Sequence, residues 1–270
     1  MTLNIIFNAD DYGITPEVSR GIREAHLRGV VNSTSCMMNT QNAVDDLRAA
    51  IERTPDMRIG VHLTLTSGSP MVSSSMTPTV RGEDGNFIGY DKFISNRKTI
   101  NIDEVKTEWR QQIEKFCLSA KFTPSHLDSH HHTSYFSPPL FRAFLDLARE
   151  YNTAIRLPVL NKETFQIVGF PVEIVSEMQN NLPVLFREYN LYAPDGFFSG
   201  FYGHNATKEV IINYIAQLSE GTYEIMCHPG YNDDILSRKS SYSAQREGEL
   251  QTLTDPNLID LLKDKRISVL

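Results

Sequence analysis

Leu3-Asn4-Ile5-Ile6-Phe7 runs directly into Asn8-Ala9-Asp10-Asp11-Tyr12-Gly13. The first part is apolar and rich in β-branched residues, so it reads as a short buried strand, and the second as the polar loop at its C-terminal end. A helix is expected next. Thr15 can cap it, Pro16 suits its first position, Val18, Ile22, Ala25 and Leu27 give it an apolar side, and Gly29 ends it.

The same unit recurs along the chain. Residues 30–38 read as a strand with Asn39 at its end, 43–51 as a helix, and 59–65 as a third strand carrying His62 near its C-terminal end. Residues 66–100, rich in Ser, Thr, Pro, Gly and Asn, are too long for a tight connection and are expected to form an excursion over one face, a lid or a contact with a partner subunit. A helix over 103–120 with the single tryptophan, Trp109, precedes a histidine-rich fourth strand, and Pro138-Pro139 opens a helix through Arg149. Strands are expected at 154–159, weakly at 196–201, strongly from 223 up to Pro229-Gly230, and at 267–270. Helices are expected at 208–218 and 255–263. Strand and helix alternate almost throughout, which argues for a parallel sheet with covering helices; about seven units favour a barrel over an open sheet. We expect one domain, 1–270.

Composition narrows the class. Of 270 residues 40% are hydrophobic and 22% charged, ordinary for a soluble globular enzyme, and the net charge of −7 argues against nucleic acid as the main partner. Cys36, Cys117 and Cys227 are odd in number and widely spaced, so neither a disulfide framework nor a thiolate metal site is suggested. Asp10 and Asp11 interrupt the first apolar run before a signal sequence could be completed, and no run of about 18 apolar residues follows. A cytoplasmic protein without membrane association is expected, with room for a homodimer.

The fourth strand holds His126-Leu127-Asp128-Ser129-His130-His131-His132. If it stays extended, His126, Asp128, His130 and His132 share one face and Leu127, Ser129 and His131 the other. Such a face suits a metal; a solvated, hydrogen-bonded histidine patch is the competing reading. Asp10-Asp11, His62, this segment and His228 all fall at C-terminal ends of expected strands, where the loops of a barrel gather around one mouth. Taken singly, Asp10-Asp11 could be a turn with a helix cap, His62 a satisfied core histidine and His228 a loop residue. Their common address is the stronger argument.

Asn8-Ala9-Asp10-Asp11-Tyr12-Gly13, Gly60-Val61-His62-Leu63, His126-Leu127-Asp128-Ser129-His130 and Glu224-Ile225-Met226-Cys227-His228-Pro229 together resemble the YdjC-like carbohydrate deacetylases. Ser33-Thr34-Ser35 with Asn39, and Phe201-Tyr202-Gly203, further resemble the chitooligosaccharide branch, which deacetylates diacetylchitobiose or its 6-phosphate. The resemblance implies a deformed (β/α) barrel, TIM-like, with one divalent ion, Mg2+ or Zn2+, bound by Asp11, His62 and His130. It also implies Asp10 as general base and His228 as general acid. Ser134 departs from the pattern where many members carry a further histidine, so the substrate-side wall is expected to differ. The chain also stops soon after Ile267, so a terminal strand is expected to be short or missing.

Among the remaining polar residues, His126, Asp128, His131 and His132 are expected to orient ligands or touch substrate, Asp128 as the carboxylate behind a ligating imidazole. Arg156 could hold a carboxylate or phosphate, or form a helix-edge ion pair. Tyr202 and Phe201 could stack on a sugar or pack in the core, and Trp109 is expected to pack. Three other functions fit parts of this set: a metal-dependent hydrolase of another substrate, a non-haem iron oxygenase, and a non-catalytic sugar- or metal-binding protein. The β/α alternation speaks against the oxygenase. A binding protein has no need of an Asp beside a ligand Asp.

Overall fold

Strand β1 (Leu3–Tyr12) lies at the centre of an eight-stranded sheet. In the computed structural model, which describes residues 2–157, 172–264 and 268–269, it is followed by α1 (Pro16–Arg28), β2 (Ser33–Cys36), α2 (Ala43–Arg53), β3 (Arg58–Leu63), α3 (Tyr90–Asn96), α4 (Ile102–Ala120), β4 (His126–Ser129), α5 (Pro138–Glu150) and β5 (Ala154–Ile155). Then come α6 (Val172–Tyr189), β6 (Gly196–Phe198), α7 (Lys208–Ile215), β7 (Gly221–Cys227), α8 (Asp234–Lys239), α9 (Gln245–Leu253), α10 (Pro256–Asp264) and β8 (Ser268–Val269). All ladders are parallel, in the order β5-β4-β3-β2-β1-β7-β6. Among the described residues none joins β5 to β6, so the expected (β/α) barrel is a deformed one, curled but open on that side. Of the expected fifth and last strands, residues 158–159, 267 and 270 lie outside the described residues.

Sequence explains the central position of β1. Ile5, Phe7 and Ala9 on one face are fully buried, and Asn8 and Asp10 on the other are buried too, as a strand covered on both faces requires. Its lower half pairs with β8 through Asn4 and Ile5, and its upper half with β2 from Asn8 onward, so two short strands share one edge. The Thr15 side chain accepts the Val18 N–H at 3.2 Å, Pro16 opens α1 and Gly29 follows it, as expected. Trp109 is buried edge-on against Phe144.

One irregularity decides where the site forms. Ala9 pairs with Thr34 and Tyr12 with Cys36, so β1 spends three steps where β2 spends two. The extra residue is a β-bulge, and Asp11 within it takes φ +67°. In a regular strand Asp10 and Asp11 would face opposite sides. Here both line the cavity at the C-terminal ends of the strands.

The 66–100 excursion is fastened to α4. Buried Glu108 accepts the Met71 and Val72 N–H groups at 2.9–3.1 Å, and Glu104 accepts that of Thr79 at 2.8 Å. Loop backbone that leaves the sheet thereby keeps its hydrogen bonds, and α3 brings Tyr90 and Asp91 to the cavity. Four helices were not expected: α3, α6, α8 and α9. Helix α6 contains Pro183, which reads as a break.

Helix α1 meets the loop after β7 at bare backbone. A Cβ on Gly21 would lie 2.6 Å from the Gly230 Cα, whereas one on Gly248 would meet nothing within 4 Å. Gly21→Ala is therefore expected to lower stability by about 1–3 kcal/mol through overpacking, and Gly248→Ala, within α9, to be neutral or up to about 1 kcal/mol stabilising. Urea unfolding of the two variants checks this.

Candidate active site

The strands deliver their polar residues to one level. The β3–β4 register sets His62 beside Asp128, β1 carries Asp10 and Asp11, and His228 follows β7. Asp10, Asp11, His62, His130, His131, His132, Tyr202 and His228 all line a cavity of about 450 Å³ at this mouth.

Asp11 is its hub. Its Oδ1 lies 3.2 Å from His62 Nε2 and 2.9 Å from His130 Nδ1, while Oδ2 accepts from Arg246 Nη2 at 2.6 Å. Burial pushes the Asp11 carboxyl up, but His130 and Arg246 outweigh it and hold it well below the usual carboxylate range. His62 turns its other nitrogen, Nδ1, to Asp128 at 2.8 Å, and Ser35 Oγ donates to Asp128 Oδ2 at 2.8 Å. Burial disfavours the imidazolium of His62, yet Asp128 and Asp10 raise it to about 10.

Beneath this layer lies Arg156, fully buried. It donates to both oxygens of Asp10 at 2.6 and 2.7 Å and to Glu224 at 2.7 Å, and it lies 3.0 Å from Asp128. Burial raises Asp10, but the guanidinium brings it below its ordinary value; Asp128 is lowered likewise. Glu224 goes the other way. Burial, with Asp128 and Asp10 adding to it against Arg156, pushes it up to about 7.

A divalent ion fits this set. Asp11 Oδ1, His62 Nε2 and His130 Nδ1 all lie within 4.8 Å of one another. Donors about 2.1 Å from a shared ion stand roughly 3.0–3.4 Å apart, close to the two separations from Asp11. Charge agrees, because the buried carboxylates of Asp10, Asp11, Asp128 and Glu224 face the guanidiniums of Arg156 and Arg246 alone among the described Arg and Lys side chains paired with them. The Asp128–His62 contact fixes the ring so that Nε2 faces Asp11.

A model of the YdjC-like protein family matches residues 4–264. The chain belongs to that family. It is 34% identical to a protein of Thermoanaerobacter pseudethanolicus named carbohydrate deacetylase, over 97% of this chain and 95% of the relative. A protein of the same name from Geobacillus stearothermophilus is 33% identical, over 98% of this chain and 95% of the relative. A crystal structure from Enterococcus faecalis V583, named for cellobiose-phosphate cleavage, superposes with a TM-score of 0.86 at 31% identity, covering 99% of this chain and 97% of that one.

The remaining expected residues fall in different places. His126 is not at the mouth. It begins β4, about 13 Å below His130 at strand rise, and lines a separate cavity of about 60 Å³ with Asn8, Arg156 and Glu224. Burial lowers its imidazole to about 4. The extended alternation fails at His130, where a 3₁₀ segment, His130–Tyr135, begins with His131 and His132 at φ +54° and +57°. That turn is what lets three consecutive imidazoles line one cavity. Arg156 holds carboxylates, one of its two expected uses; they are the protein's own, and it does not line the cavity. Ser134 does not line the cavity; it is buried behind the wall residue Ser129, whose Oγ it meets at 2.7 Å. Tyr202 lines the cavity, exposed and stacked on Tyr242 at 4.0 Å, whereas Phe201 is fully buried.

Sequence reading missed Arg246, Tyr242 and Glu249. Arg246, Glu249, Leu250 and Leu253 are the buried residues of α9, a helical face on which two charges interrupt the apolar stripe and mask its period.

Glu224 makes the site testable without substrate. Its proton stays on up to about 7 in the folded protein, against 4.5 ordinarily, so the folded state binds more protons between those values. That contribution to stability is whole below about 4.5 and lost as pH rises through about 7. Glu224→Gln cannot titrate. Its stability relative to wild type is expected to rise across this window, by at most about 1.4 kcal/mol per pH unit, in urea unfolding at pH 4.5 to 8; a flat difference would refute the assignment.

Proposed function

We propose that this chain is a metal-dependent carbohydrate deacetylase that removes the acetyl group from an N-acetylglucosamine unit of a small chitooligosaccharide, diacetylchitobiose or its 6-phosphate. The observation that carries the reading is the convergence of Asp11, His62 and His130 donor atoms in a cavity that Asp10 and His228 also line. The names of the curated relatives point the same way. The cavity's volume is within the ~300–1,000 Å³ typical of small-ligand sites.

In this reading Asp11, His62 and His130 hold the ion, Mg2+ or Zn2+. Bound there, it supplies Lewis acidity that polarises the acetyl carbonyl and acidifies water. Arg246 occupies Asp11 Oδ2 and leaves Oδ1 for coordination. Asp10 enters the reaction ionised, because Arg156 stabilises its carboxylate, and takes the proton of the attacking water. Burial lowers His228 to about 4, so the imidazole rests neutral and must gain a proton before donating one to the amine. Tyr202 offers a ring face to the sugar. The 66–100 excursion, with Tyr90 and Asp91, would act as the lid. Free cysteines, two of them buried, suit a cytoplasmic setting, and no described helix is long and apolar enough to cross a membrane.

Acetate release from diacetylchitobiose, with metal added, is the direct test. Release of phosphate from phosphate esters, or of monosaccharides without acetate, would instead favour another hydrolase. Asp10→Asn is expected to keep its metal and lose roughly 10²-fold or more in turnover. His62→Ala or His130→Ala should lose metal and activity together. Metal analysis of each purified variant separates the two defects.

A further inference from the structure

His228 Nδ1 is buried and makes no hydrogen bond. Its nearest carboxylate oxygen is Glu249 Oε1 at 4.0 Å. Glu249 is fully buried on α9, and its other oxygen accepts the His228 backbone N–H at 2.5 Å. Its Oε1 accepts from the Tyr242 hydroxyl, and that same hydroxyl accepts the Gly203 N–H at 2.8 Å. One carboxylate is thus tied to the His228 main chain and, through Tyr242, to the loop that presents Tyr202.

We propose that Glu249 is the positioning residue of His228, accepting the Nδ1–H when the imidazole becomes protonated and so aiming Nε2 at the departing amine. The inference rests on the reading of His228 as proton donor given above. Closing 4.0 Å to a hydrogen bond of about 2.8 Å takes roughly a 1.2 Å movement, a small turn of the ring. The other groups around His228 cannot do this. Tyr202 and Tyr242 meet it edge-on, at 5.5 and 5.6 Å between ring centres. Asp10 and Asp11 favour its charged form from β1, but Arg156 and Arg246 engage them. Arg246 and His62 disfavour it. Glu249, itself pushed up to about 7 by burial, is drawn into its ionised form as the imidazolium appears, so the two groups titrate as a pair.

The proton balance is closed. Water adds its oxygen to the acetyl carbon and gives a proton to Asp10; as the C–N bond breaks, the amine nitrogen keeps the bonding pair and takes the Nε2 proton. His228 returns to neutral, and Asp10 gives its proton to solvent, from which His228 is recharged. Glu249, already ionised when His228 is charged, exchanges no proton in these steps; its Oε1 accepts the Nδ1–H while His228 is an imidazolium.

Glu249→Gln preserves the acceptor for the backbone N–H and removes the charge. In the metal-loaded enzyme, kcat on diacetylchitobiose is expected to fall by about 10- to 100-fold with KM and metal content unchanged, and the alkaline limb of the kcat profile should move to lower pH. Titration of ¹⁵N-histidine-labelled protein should show the His228 pKa lower in the variant. Glu249→Asp, with the charge retracted by one methylene, should fall between the two and serves alone if Glu249→Gln does not fold. Wild-type kcat, pH limb and His228 titration in a folded variant would overturn the proposal. If wild type releases no acetate at all, the deacetylase reading fails, while the titration still decides whether Glu249 and His228 form a pair.

Discussion

Arg156 carries no solvent-exposed surface on its side chain, yet it meets three carboxylates, Asp10, Asp128 and Glu224, from three different strands. A guanidinium so buried is tolerable only while those partners remain, and each partner is tolerable only beside it. The layer above inherits its geometry from this constraint. Asp128, fixed from below, fixes His62; His62 and His130 then converge on Asp11; and Asp11 is drawn from the far side by Arg246. The chain of contacts crosses the sheet and ends on α9. The mouth is rigid because its polar atoms have few alternative partners, a more specific cause than hydrophobic packing.

The electrostatic excess of the site has a direction. Acidic groups outnumber the fixed cations that meet them, and His62 compensates by retaining a proton to about 10. On the proposed reading of His62 as a ligand, a proton on Nε2 and a metal ion at that atom are alternatives, so uptake of an ion would release a proton. Glu224 relieves the same excess lower down by remaining protonated to about 7.

Much of this was legible in the residues. The β/α alternation, the Thr15 and Pro16 helix start and the placing of Asp10-Asp11, His62 and His228 at strand ends follow from periodicity and capping, which are local properties. The inward turn of His131 and His132 was not, because left-handed backbone at two consecutive histidines runs against their ordinary preference and is imposed by surroundings. Nor were Arg246 and Glu249. Charged residues on a helix read as solvated until tertiary structure supplies Asp11, His228 and Tyr242 to meet them. His126 misled for the opposite reason: it shares the chemistry of its neighbours in sequence but lies at the other end of their strand.

The bulge in β1 has a mechanical consequence. Asp10 and Asp11 are joined by a single planar peptide, so the span between their Cα atoms is set by covalent geometry at about 3.8 Å and not by the packing of distant elements. His228 and Tyr90 reach the mouth on other elements, so their distance from it rests on packing. The span between the two aspartates does not. On the deacetylase reading, the anchor for the ion and the acceptor of the water's proton move as one body, while the group that serves the leaving amine is held separately, by Glu249 on α9.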